Sequence, residues 1–145
     1  METLSSLREY PDFVKFQLPA LLWMGFIFCL SCIPGSDIAP MEFPYAHIIA
    51  HTMLYAVLYY FAYRAMKFQG YSKWLNDFSI IVAYLFVMVY GASDEFHQSF
   101  VPGRTEEFRD FAIDVGAATI VLGVILLKDK FLPGTKKHKE KRADG

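Results

Sequence analysis

Four apolar runs, 16–33, 48–65, 78–93 and 111–127, constrain this chain more than any other feature of its sequence. The first and third carry no charge, the second holds His51 and Arg64, and the fourth holds one acid, Asp114. Crossing about 30 Å of hydrocarbon takes roughly 20 helical residues, with about 17 as the short limit. Each run reaches that length once a flanking turn is added. In lipid only helices or closed barrels satisfy the backbone, and these runs do not alternate with period two. The pattern therefore predicts an all-α fold, an integral membrane bundle of four transmembrane helices. Composition agrees: 54% of the 145 residues are hydrophobic and only 20% charged. A soluble domain this small needs more polar residues than that to cover its surface.

The placement of basic residues predicts the orientation. Arg8 and Lys15 precede the first run, and Arg64, Lys67 and Lys73 surround the connection between the second and third. Lys128, Lys130, Lys136, Lys137, Lys139, Lys141 and Arg142 follow the fourth. Of the 14 Lys and Arg, only Arg104 and Arg109 remain for the other side. The positive-inside rule then gives a multi-pass membrane protein with both termini on the cytoplasmic side. Tyr45, Tyr71, Trp74 and Tyr90 lie near run ends, as interfacial aromatics do. The expected organisation is a cytoplasmic segment (1–15), a membrane domain (16–132) and a basic, disordered cytoplasmic tail (133–145), serving as a topology anchor or touching lipid headgroups.

The first run has acids close ahead of it and no small-x-small cleavage site, so it is expected to stay as a helix rather than act as a signal peptide. Cys29 and Cys32, both inside it, are expected to be inert, since redox or metal chemistry needs an accessible thiolate. A net charge of −1 gives no reason for a nucleic-acid partner. Gly25, Gly91, Gly116 and Gly123 are expected to allow close helix approach.

That topology gathers the remaining polar residues at the outer end. The first helix stops at Pro34-Gly35, and the second begins with His47 and His51 one turn apart on one face. The third ends in Asp94-Glu95-Phe96-His97-Gln98, Pro102-Gly103-Arg104 turns the chain, and the fourth opens with Asp110 and Asp114, again one turn apart. Charges near hydrocarbon cost roughly 2.5–3.5 kcal/mol on insertion scales, so they usually face the bundle interior and are paired. Asp110 and Asp114 repel unless one takes a proton or a cation intervenes, and Arg104 or Arg109 is the expected cation. Such a cluster reads either as a structural network tying helix ends together or as an outward pocket. In the pocket, arginine would meet an anionic group and Asp, Glu or His would move protons. His47 and His51 share a helix face and with Asp94 could bind zinc. The sequence offers no HExxH glutamate or other obvious third ligand, so no metal and no cofactor is expected.

These same residues resemble the VanZ-like family. Ser31-Cys32-Ile33-Pro34-Gly35 looks like its Ser-Ser-Ile-Pro-Gly element, and His51 with Tyr55 like its His-x-x-x-Tyr. The block from Tyr90-Gly91 through Asp94-Glu95-x-His97-Gln98 to Phe100-Val-Pro-Gly-Arg104 resembles the family's most specific stretch. Asp110-x-x-x-Asp114 followed by Gly116 resembles its last element, where the second acid is often Asn. Cys32 in place of a second Ser, and His47 where Asp is common, depart from the pattern. The resemblance implies a bacterial multi-pass membrane protein linked, through the family's founder, to resistance to the glycopeptide teicoplanin. It brings no mechanism with it.

The leading expectation is that His51, Asp94, Glu95, His97, Gln98, Arg104, Asp110 and Asp114 form a ligand site. Its ligand would be an anionic lipid headgroup or lipid-linked wall precursor, with Arg104 holding phosphate or carboxylate. The alternatives are a membrane hydrolase or transferase using Asp94, Glu95 and His51, and a non-catalytic scaffold of an envelope complex. No nucleophile motif such as G-x-S-x-G supports the enzyme.

Overall fold

The computed structural model describes residues 13–38, 45–104 and 108–131, and among them every regular element is helical. The expected N-terminal cytoplasmic segment, up to residue 12, and the basic tail beyond residue 132 lie outside the described residues. Helix α1 covers Phe13–Ser31, opening with a wide π turn over Phe13–Gln17. Pro19 stands just beyond that turn, and its missing N–H removes a rung of the helical ladder. A 3-10 turn at Gly35–Asp37 follows. Helices α2 (Ala46–Lys67), α3 (Lys73–Asp77), α4 (Ser79–Gln98) and α5 (Phe108–Phe131) complete the chain. The short α3 is started by Ser72, whose Oγ accepts from the Leu75 N–H at 3.2 Å.

The long helices run alternately up and down. Trp23 Nε1 donates to Leu54 O at 2.9 Å, Tyr59 OH to Ile80 O at 3.2 Å, and Tyr84 OH pairs with Thr119 Oγ1 at 2.8 Å. Helix α2 is the hub: it packs on α1, α4 and α5, whereas α1 touches α4 but not α5. Small residues make the close contacts, with Ala62, Ala83, Ala117 and Ala118 buried around Tyr55, Leu58 and Tyr59. In lipid, where helix association gains little from the hydrophobic effect, such close packing and interhelical hydrogen bonds are what hold a bundle.

Helices α1, α4 and α5 are long and apolar enough to cross a membrane. No more than 28% of any of their apolar windows is buried, so Leu22, Leu85, Val89, Ile120 and Val124 face outward. Helix α2 has the length, 22 residues, but its polarity is raised by His47, His51, four tyrosines and Arg64. The fold explains that difference, because His51, Tyr55 and Tyr59 point into the bundle. Tyr90 also departs from the interfacial expectation: its OH donates to Met24 O at 2.7 Å, tying α4 to α1. Of the four helix glycines expected at close approaches, only Gly91 sits at one. A methyl there would lie 3.3 Å from Tyr55 Cε1, whereas at Gly25, Gly116 or Gly123 it would meet nothing within 4 Å.

Candidate functional site

Two Pro-Gly turns build the end of the bundle that carries the ionisable residues. The Gly35 N–H donates to Pro102 O at 3.0 Å, and a methyl on Gly35 would lie 1.8 Å from Gly103 O. Gly103 itself has φ +74°, the left-handed region that favours glycine. This backbone contact presses the end of α1 onto the loop after α4. Arg104 then reaches back, its Nε donating to Ile33 O at 3.2 Å and its Nη2 to Leu30 O at 3.1 Å. A guanidinium suits that position, where the carbonyls at a helix C-terminus concentrate negative charge.

Four acids are buried beneath: Asp94 (5% exposed), Glu95 (8%), Asp110 (5%) and Asp114 (1%). The one-turn spacing of two histidines on α2 matches that of two aspartates on α5. His51 Nδ1 lies 2.9 Å from Asp114 Oδ1, and His47 Nε2 lies 3.2 Å from Asp110 Oδ2. The histidine rings are 4.5 Å apart. The expected arginine pairing holds in part, through Arg109 at Asp110 alone, and histidines meet both aspartates. Arg104 is held by backbone carbonyls, and Arg109, largely exposed, comes only within 4.0 Å of Asp110. Histidines reach both aspartates because α2 packs along α5.

A second network joins α1, α2 and α4. Asp94 Oδ2 accepts from Tyr55 OH at 3.2 Å and from Gln98 Nε2 at 3.1 Å, and the same amide reaches Ser31 Oγ at 3.3 Å. Between these helices lies a cleft of about 50 Å³, lined by Ser31, His51, Tyr55, Asp94, Gln98 and Arg104 with an apolar wall of Ile27, Leu30 and Leu54. Of the residues expected at the site, His51, Asp94, Gln98 and Arg104 meet in this cleft. Glu95 and Asp114 lie with His51, and Asp110 lies one turn away with His47. His97 faces elsewhere, its Nε2 3.4 Å from Cys32 Sγ and its ring against Phe28.

Tyr55 and Ser31 were visible only as parts of motifs, and nothing local marked them as partners of Asp94 and Gln98. Two trios, His47–His51–Asp110 and His51–Glu95–Asp114, each bring one donor atom per residue within 4.8 Å of one another. The Cys29–Cys32 pair is free and exposed and belongs to neither.

Long helices that are apolar outside, with buried ionisable residues gathered at one end, define a helical membrane protein. The chain belongs to the VanZ/LLP1 family, whose family model matches residues 16–129. That match takes in all four long helices apart from their outermost residues. Neither the comparison with curated proteins nor the comparison with solved structures finds a match.

Proposed function

We propose that this chain is a plasma-membrane protein whose four long helices all cross the bilayer, with both termini cytoplasmic. In this reading its polar end faces outward and recognises the anionic group of an envelope lipid or lipid-linked wall precursor. Arg104 carries the reading. It lines the cleft, no carboxylate among the described residues lies within ion-pair distance of it, and its Nη1 donors remain after Nε and Nη2 are used. The cleft is far smaller than the roughly 300–1,000 Å³ of pockets that enclose a drug-sized molecule. It suits one small anionic group, the remainder of the ligand staying in the bilayer. Membership of a family linked to antibiotic resistance fits a target in the envelope.

Native mass spectrometry of the detergent-purified protein tests this. Wild type should retain a defined phospholipid or lipid-linked precursor, and Arg104→Ala, if monodisperse, should lose it. In cells the same variant should abolish glycopeptide tolerance at unchanged protein level. Tolerance and adduct both surviving in Arg104→Ala would sink the proposal. A bound lipid that is consumed over time, in an Asp94-dependent way, would instead mark the hydrolase or transferase.

A further inference from the structure

The acids and histidines beneath the cleft leave a charge imbalance that the anion-binding reading does not use. Four buried carboxylates converge there, and the cations that reach them are His51 at Asp114 and His47 and Arg109 at Asp110, since Arg104 is spent on backbone carbonyls. Carboxylates so placed in a membrane-spanning bundle call for protons or a cation of their own.

We propose that His51, Glu95 and Asp114 hold a divalent transition-metal ion of the zinc class, one ligand from each of α2, α4 and α5. One donor atom from each of the three lies within 4.8 Å of the other two. Ligands bonded to zinc at about 2.0–2.2 Å sit roughly 3.4 Å apart in a tetrahedron, so side-chain adjustments of about an ångström close the site. A second observation points to the same place. Asp114 Oδ2 is buried and has no hydrogen-bond partner among the described residues, although Oδ1 of the same carboxylate is taken by His51. Gly91 leaves room beside it, since even a methyl built there would come no nearer than 3.7 Å to Oδ2.

The donor set selects the ion. One imidazole with two carboxylates suits zinc or a neighbouring first-row metal, whereas calcium asks for six to eight oxygens. Three protein ligands leave a coordination position open. His51 belongs to both the trio and the cleft wall, so an ion here would lie beside the anion-binding region. The other trio, His47–His51–Asp110, is the competing site, and its His47, with a side chain 37% exposed where Glu95 is 8% exposed, makes it the weaker enclosure.

The test uses the full-length protein purified with a histidine-free tag. Elemental analysis should find about one zinc-class ion per chain. After chelator stripping, zinc chloride should rebind and raise the thermal midpoint. Glu95→Gln and Asp114→Asn should each lower zinc affinity at least tenfold, and His47→Ala should change it less than threefold. Wild type that neither carries nor rebinds a stoichiometric metal overturns the proposal, whatever the variants do. Loss of zinc in His47→Ala with retention in Glu95→Gln overturns it in favour of the outer trio. If Glu95→Gln fails to fold, the zinc-dependent midpoint of wild type beside that of His47→Ala still decides. The proposal does not rest on lipid recognition: metal without a lipid adduct, or an adduct without metal, separates the two.

Discussion

At the scale of single residues, the His51–Asp114 pair is the most consequential contact in the molecule. Both side chains are buried, and taking one partner from a buried hydrogen-bonded pair costs about 1–3 kcal/mol, because the other is left unsatisfied. His51→Ala and Asp114→Asn should therefore each lower the thermal midpoint in detergent markedly. The double variant should lose less than the two effects combined, with a coupling of about 2 kcal/mol. Simple additivity in that cycle would show that the two do not act together. The sequence displayed both residues and their i, i+4 rows, but it could not match the rows. His47 and His51 could as well have met Asp94, and Arg104 could as well have served the aspartates. Spacing says which side chains share a face; only packing says which faces meet.

Among the elements, the connections turn out to be as specific as the helices. Each Pro-Gly is legible as a turn, yet nothing local tells that the two turns press against each other. Gly35→Ala should prevent normal assembly, because a methyl 1.8 Å from Gly103 O forces backbone apart. The expected result is loss of monodisperse protein in detergent chromatography. Gly116→Ala should fold normally, since its methyl meets nothing within 4 Å and alanine favours a helix interior by up to about 1 kcal/mol. Equal behaviour of the two variants would contradict the turn-on-turn contact. Helix α2 makes the complementary point. Its mixed polarity looks like a weaker membrane segment in sequence, and in the fold it follows from the helix's place among the three other long helices.

For the molecule as a whole, charge divides by end. Lys15, Arg64, Lys67, Lys73, Lys128 and Lys130 lie at the helix ends opposite the Asp–His cluster. That asymmetry is the basis for the proposed orientation. In a background with Cys29 and Cys32 replaced by Ala, a membrane-impermeant maleimide should label Ser36→Cys on intact cells. Lys73→Cys should react only after permeabilisation. The opposite pattern would invert the topology and place the cleft in the cytoplasm. The helical character, the number and rough extent of the long helices, and the gathering of polar residues at one end are determined by the sequence itself. They follow from apolar run length, backbone hydrogen bonding and the Pro-Gly stops, all of which are local. Tertiary structure alone decided that His51 meets Asp114, that Arg104 grips the end of α1, that Tyr55 reaches Asp94, and that His97 stands apart. Those contacts join residues dozens of positions apart, and they are settled by which small residues let which helices approach.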